Sequence, residues 1–182
     1  MFDNVAQLLL REGAVGIMPT DTVYGLVARA QDERAVERLY NLKQREQKPA
    51  PVIAESIDQL VALGIKRRYL KAVEEYWPGP ISVIVPHSIN YLSQGLGAQP
   101  FRIPDGLELR QLLKLTGPLL ATSANLPGQP VSVTLSQAKA YFDDKVDFYV
   151  DGGDLSNNLP STIIRIVDDA IEVIREGAVK IN

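Results

Sequence analysis

Thr162-Ile163-Ile164-Arg165-Ile166-Val167, then Asp168-Asp169, then Ala170-Ile171-Glu172-Val173-Ile174 is the stretch that decides the architecture. Two apolar runs of strand length joined by a two-residue turn predict a tight hairpin, and therefore an antiparallel pair. Just upstream, 146–150 reads as another strand running into the turn Asp151-Gly152-Gly153. Strand-like runs at 14–18 (closed by Pro19), 51–54, 81–85, 99–103 and 118–122 are interspersed with helical ones. Hairpin pairing at the end of such a chain predicts a mixed α/β sheet rather than a purely parallel one.

The helices follow from apolar spacing and caps. Residues 4–12 place Val5, Leu8, Leu9 and Leu10 on one side, with Gly13 as a stop. Asp32 caps a helix whose Ala35, Val36, Leu39 and Tyr40 share a face and which runs to Lys43. Ser56 with Gln59, and Thr134 with Gln137, form capping boxes, the second opening a helix to about 142. A helix over 66–76 ends at Trp77-Pro78-Gly79-Pro80, and the leucine spacing of Leu109, Leu112 and Leu113 predicts another over 105–116. With no internal repeat, low-complexity tract or linker, residues 1–182 read as a single domain.

Composition narrows the function classes. Lys plus Arg is 19 against 22 for Asp plus Glu, a net charge of −3, which argues against affinity resting on broad neutralisation of nucleic-acid phosphates. The absence of cysteine excludes zinc-thiolate sites, iron–sulfur clusters and cysteine nucleophiles. His87 is the sole histidine, so multi-histidine metal sites are excluded as well. It has no obvious carboxylate partner and reads as a surface residue. No apolar run approaches the roughly 20 residues that span a bilayer, and Met1-Phe2-Asp3-Asn4 lacks the cationic start of a signal peptide. A cytoplasmic location without membrane contact is expected.

Four segments are more polar than packing requires. Pro19-Thr20-Asp21-Thr22-Val23-Tyr24-Gly25-Leu26 places hydroxyls and a carboxylate directly after a strand, where open α/β sheets bind ligands. A turn whose Asp21 and threonines satisfy their own backbone accounts for it equally well. Leu42-Lys43-Gln44-Arg45, with Lys48 beyond, offers a point charge and a planar fork suited to a polyphosphate, or simply cations that complement a helix terminus. Thr122-Ser123-Ala124-Asn125 delivers a hydroxyl and a carboxamide from a strand end into a Gly- and Pro-rich loop that reaches Ser132. Pro160-Ser161-Thr162 and Arg175-Glu176-Gly177 form the fourth, Arg175 either reaching a ligand or solvating a strand end. Trp77 reads as a packing anchor, and Lys66-Arg67-Arg68 with Tyr69 and Lys71 as a solvated helix face rather than an RNA contact. Neither the phosphate loop Gly-x-x-x-x-Gly-Lys-Ser/Thr nor the dinucleotide turn Gly-x-Gly-x-x-Gly occurs.

In chain order the matching stretches are PTDTVYGL at 19–26, LKQR at 42–45, WPGP at 77–80, RIP at 102–104, PLLATSAN at 118–125, DGG at 151–153, PSTI at 160–163 and IREG at 174–177. With these the chain resembles the YrdC family, whose single-domain members are threonylcarbamoyl-AMP synthases, over essentially its whole length. The resemblance implies a twisted mixed (parallel and antiparallel) sheet with flanking helices around a concave groove. It implies the reaction L-threonine + bicarbonate + ATP → threonylcarbamoyl-AMP + pyrophosphate, the first step of N6-threonylcarbamoyladenosine formation in tRNA. A downstream threonylcarbamoyl transferase complex would receive the product, and weak tRNA contact is a further implied partner.

Carried over by position, Lys43 and Arg45 match the Lys-x-Arg pair, and Ser123 and Asn125 the Ser-x-Asn pair, of the family's catalytic site. Thr22, Arg102 and Ser161 fall where the family contacts the amino acid. Lys43, Arg45, Asn125, Ser132 and Arg175 fall on the nucleotide side. No protein cage for a metal is implied, and Mg²⁺ would be held through the ATP phosphates. The sequence departs from the family pattern at Glu46, at Lys48-Pro49-Ala50-Pro51, at Asp105-Gly106 in place of a usual His-Pro, and at Val27-Ala28 in place of a common glycine and cysteine. These departures are expected at the amino-acid end of the groove. Two alternatives stand beside this reading: a synthase of another carbamoyl-type adenylate, and an RNA-binding module without catalysis.

Overall fold

The computed structural model describes residue 2 and residues 4–45, 47–168 and 170–181. Along the chain, α1 (Val5–Leu9) precedes β1 (Val15–Pro19), β2 (Tyr24–Arg29), α2 (Glu33–Lys43), β3 (Val52–Ile53), α3 (Ile57–Leu63), α4 (Arg67–Lys71) and β4 (Ile81–Pro86). Then come α5 (Asn90–Ser93), β5 (Ala98–Arg102), α6 (Leu107–Thr116), β6 (Leu119–Ser123), α7 (Leu135–Phe142), β7 (Phe148–Tyr149), β8 (Thr162–Val167) and β9 (Ala170–Arg175).

The strands form one nine-stranded sheet in the order β7-β1-β2-β6-β3-β5-β4-β8-β9. Pairs β1–β7, β3–β5 and β4–β8 are parallel and the others antiparallel, so the sheet is mixed as expected. Strands β8 and β9 pair antiparallel up to Val167 opposite Ala170, which is the hairpin read from the sequence. Of its turn, Asp168 adopts φ 49°, while Asp169 lies outside the described residues, as does Glu46.

Most inner strands are apolar on both sides because both faces of the sheet are covered. Successive residues point to opposite faces, so Ile17, Leu26 and Val52 join a core with Ala35, Val36, Leu39 and Tyr40 of α2, whereas Met18, Val27 and Ile53 join one with Val5 and Leu9 of α1 and Leu109, Leu112 and Leu113 of α6.

Several local expectations change. Strand β2 and helix α5 are not legible in the sequence. Leu26-Val27-Ala28 is an apolar run without alternation, and the polar residues before it are the turn of a β1–β2 hairpin in which Pro19 pairs with Tyr24. The helix read over 66–76 breaks after Lys71 and resumes as a 3₁₀ turn at Glu74–Tyr76. Helix α1 ends at Leu9, and Leu10 is exposed instead of packed. In both capping boxes the hydroxyl accepts from the residue three positions on, but Gln59 and Gln137 reach back to the amides of Glu55 and Val133, one residue earlier than expected. Among the described residues, no helix is long and apolar enough to cross a membrane.

Candidate active site

The β1–β2 turn, the C-terminal ends of α2, β5, β6 and β9 and the segment entering β8 meet along one rim of the sheet, and the polar segments sit there. Helix α2 is capped by Asp32, whose carboxylate accepts from the Ala35 amide. It stops because Gln44 turns into the left-handed region at φ 50°, with the amides of Gln44 and Arg45 donating back to the Asn41 and Tyr40 carbonyls. This reversal brings Lys43 and Arg45 to one groove. Lys43 is buried, and its ammonium donates to the Ser123 carbonyl (2.6 Å), the Asn125 carbonyl (2.5 Å) and Asn125 Oδ1 (2.6 Å). Burial, and then the positive charges of Arg45 and Lys48, push this ammonium down to about 7. Arg45 donates to Thr122 Oγ1 (3.2 Å), to the Pro49 carbonyl (3.3 Å) and to the Lys48 carbonyl.

At the end of β6, Asn125 Oδ1 also accepts from Ser123 Oγ (2.7 Å), while its amide donates to the Leu126 and Gln129 carbonyls at 3.2 and 2.7 Å. Ser132 stands apart from the groove lining. It is fully buried, and its hydroxyl donates to the Ala124 carbonyl, bracing the Ser-x-Asn loop from behind.

On the other side lie Thr20, Thr22, Arg102 and Ser161. Thr20 closes the β1–β2 turn on itself through Val23 (2.7 Å) and Thr22 (3.0 Å). Asp21, however, leaves the turn and pairs with Arg102 in a buried ion pair. Ser161 lies 3.0 Å from the fully buried Ser82 hydroxyl, and Arg175 holds Ser161 from behind through its carbonyl (2.6 Å) and Oγ (3.2 Å). Asp21, Ser82 and Lys48 join the site beyond the residues that the family resemblance implies. Asp21 carries a signal in the sequence, a carboxylate in a turn after a strand, and so does Lys48, beyond the Lys-x-Arg pair, whereas Ser82 carries none.

The groove has two lobes. The inner, about 60 Å³, is lined by Thr20, Thr22, Arg102 and Ser161 among others, and the outer, about 510 Å³, by Lys43, Lys48 and Asn125 among others. Arg45, Ser123 and Arg175 line both. Ligand pockets usually span ~300–1,000 Å³, so the outer lobe is of ligand size and the inner one is a small polar recess beside it. Burial lowers the basicity of Arg45 and Arg175, and Arg175 is lowered further by the neighbouring Arg45 and Arg102. Cations gathered in this way favour an anionic ligand. Among the described residues, no group of three His, Cys, Asp or Glu is placed to hold a metal ion.

Val27 and Ala28 are wholly buried in the two cores and are not among the residues lining either lobe. Gly106, by contrast, backs onto Asp21, with room for a Cβ at 3.6 Å. His87 is half-buried rather than on the surface, edge-on to Phe101 with ring centroids 5.5 Å apart, and burial lowers its basicity. Trp77 is buried and donates to the Ile81 carbonyl at 2.9 Å, the anchor expected. Arg67 and Arg68 are exposed, paired with Asp58 and stacked on Tyr69.

A family model of Sua5, YciO and YrdC proteins, described as "Telomere recombination", matches residues 8–177. The threonylcarbamoyl-AMP synthase of Pseudomonas syringae is 33% identical over 175 residues, covering 92% of this chain and 93% of that protein. The threonylcarbamoyl-AMP synthase of Bacillus subtilis is 32% identical over 182 residues, covering 96% of this chain and 53% of that protein. The crystal structure of Pyrococcus abyssi Sua5 complexed with L-threonine superposes with a TM-score of 0.83 at 30% identity, over 95% of this chain and 53% of that one. The chain thus spans about half the length of the Bacillus and Pyrococcus proteins and nearly all of the Pseudomonas one.

Proposed function

This chain belongs to the Sua5/YciO/YrdC family, and on that premise we propose that it is a threonylcarbamoyl-AMP synthase acting on L-threonine, bicarbonate and ATP. One observation carries the reading: Arg45 and Arg175, with Lys43 behind them, line the junction of a small polar lobe and a larger cationic one. The inner lobe takes the amino acid, with Arg102 facing its carboxylate and the hydroxyls of Thr22 and Ser161 its polar atoms. The outer lobe takes the triphosphate, with Lys43, Arg45, Lys48 and Arg175 supplying charge and Asn125 positioned beside it.

The threonine amine adds to bicarbonate, releasing water, and the resulting carbamate oxygen attacks the α-phosphorus of ATP while pyrophosphate leaves. Nucleophile and electrophile are both anionic, so their approach is slow unless fixed cations offset the repulsion and the charge that builds on the leaving group. Arg45 and Arg175 at the junction do this, and holding the reactants in adjoining lobes supplies much of the remaining acceleration. Mg²⁺ arrives on the ATP phosphates as part of that substrate. The labile adenylate then passes to a threonylcarbamoyl transferase that acts on tRNA, in the cytoplasm.

Incubation with ATP, bicarbonate and L-threonine should release pyrophosphate and form the adenylate only when threonine is present. A folded, nucleotide-binding preparation that shows no threonine dependence overturns the proposal, and turnover with carbamoyl phosphate instead reassigns the acyl donor.

A further inference from the structure

We propose that Asp21 is a positioning residue for the inner lobe, fixing the orientation in which the Arg102 guanidinium meets a ligand carboxylate. This rests on the reading that the inner lobe takes an amino acid. Asp21 Oδ2 accepts from Arg102 Nη1 across 81 positions of sequence, with the two side chains 10% and 5% exposed. A buried ion pair is a poor stabiliser unless its remaining donors and acceptors are also satisfied. Here they are not. Arg102 Nε and Asp21 Oδ1 are both buried and have no partner among the described residues.

The geometry of the guanidinium explains the arrangement. A carboxylate binds it through two parallel N–H groups, and Nε with Nη2 form one such edge. Asp21 occupies Nη1 and Nε is buried without a partner, so the face that Arg102 turns to the inner lobe is set by its contact with Asp21. A single charged contact on Nη1 fixes the plane and rotation of the fork before the substrate arrives, so less ordering remains on binding. Thr20 and Thr22 close the turn around Asp21, which keeps that carboxylate in place.

The test compares Asp21→Asn, which keeps the shape and one acceptor but loses the charge, with Arg102→Lys and the double variant. In pyrophosphate release, Asp21→Asn should raise the KM for L-threonine about tenfold or more and leave the KM for ATP nearly unchanged. Arg102→Lys, unable to offer two parallel donors, should raise it at least as far, and adding Asp21→Asn to it should then cost little more. Threonine and ATP KM values that rise together with a fall in melting temperature would reduce Asp21 to a structural pin, and no change in either would also overturn the proposal. If the wild-type protein shows no threonine-dependent turnover, the functional reading fails separately. Calorimetric binding of L-threonine, glycine and L-serine to the wild type and to Asp21→Asn then decides: binding weakened by the substitution supports the role of Asp21, while no binding to the wild type, or equal binding to both, rejects it.

Discussion

The Lys43 ammonium, on the last residue of α2, lies 2.6 Å from the side-chain oxygen of Asn125, 82 positions later, beyond β6. Its other two hydrogens are taken by the Ser123 and Asn125 carbonyls at 2.6 and 2.5 Å. Lys43 therefore does two things at once. It shapes the Ser-x-Asn loop through hydrogen bonds, and it contributes a positive charge to the groove from beneath it. The guanidinia of Arg45 and Arg175, which line both lobes, are the cations the groove presents at its junction.

The protonation of Lys43 makes the free protein and its complexes respond oppositely to pH. In the unfolded chain this amine keeps its proton up to its ordinary 10.5, while in the fold burial, Arg45 and Lys48 lower it to about 7. Between those values the unfolded state holds the extra proton, so stability rises with pH over that window and is lost as pH falls through about 7. A bound polyphosphate restores the proton, so ATP binding above pH 7 takes up a proton and weakens as pH increases. Melting curves across the window, and calorimetry of ATP or tripolyphosphate binding in buffers of different ionisation enthalpy, should show both effects. Lys43→Met should remove them.

Arg45→Ala and Arg175→Ala should differ in the substrate they affect. Each should lower kcat/KM by about 100-fold through lost charge at the junction, without a matching loss of melting temperature. Only Arg175→Ala should also raise the KM for threonine, because Arg175 carries Ser161 on two hydrogen bonds from Nη2, at 2.6 and 3.2 Å. Steady-state kinetics with each substrate varied in turn separates the two.

The mixed sheet was legible because its evidence is local. The β8–β9 runs flank a two-residue turn, Asp32 stands where α2 needs an acceptor, and leucine spacing marks α6. The site was legible as segments rather than as contacts. Nothing near Asp21 in the chain points to Arg102, and nothing near Ser161 points to Ser82, since each pair is made by strands brought together only in the sheet. Strand β2 was lost for a related reason: burial on both faces erases the alternation that marks a strand with one wet side.

The glycines of two quoted segments owe their place to such contacts as well. A Cβ on Gly177 would sit 2.2 Å from the Pro160 carbonyl oxygen and 2.7 Å from the Ser161 backbone, and one on Gly152 would sit 2.4 Å from Pro19 Cβ. Gly177→Ala should cost about 1–3 kcal/mol by overpacking. It should also raise the KM for threonine, since the chain that must move carries Ser161. Gly152→Ala should cost a similar amount while displacing the start of the β1–β2 turn. Denaturant unfolding beside kinetics checks both, and unchanged stability in either would mean that the backbone yields freely at that contact.

Gln94, at the end of α5, offers a test of how far the outer lobe depends on a residue outside its lining. Its side-chain amide donates to the Arg45 carbonyl (2.5 Å), and its side-chain oxygen accepts from the Lys48 amide (2.9 Å). It thus clamps both ends of the short segment that carries two of the groove's cations. A net hydrogen bond contributes about 0.5–1.5 kcal/mol, and losing this pair frees a loop whose order the triphosphate must then restore on binding. Gln94→Ala should therefore raise the KM for ATP by about three- to tenfold, near 1 kcal/mol, with the KM for threonine unchanged because the inner lobe is built on other elements. Amide exchange around Arg45 and Lys48 should quicken in the free variant and recover when ATP is saturating. Equal rises in both KM values would instead place the clamp in the general stability of the fold, as would exchange that stays fast with ATP bound.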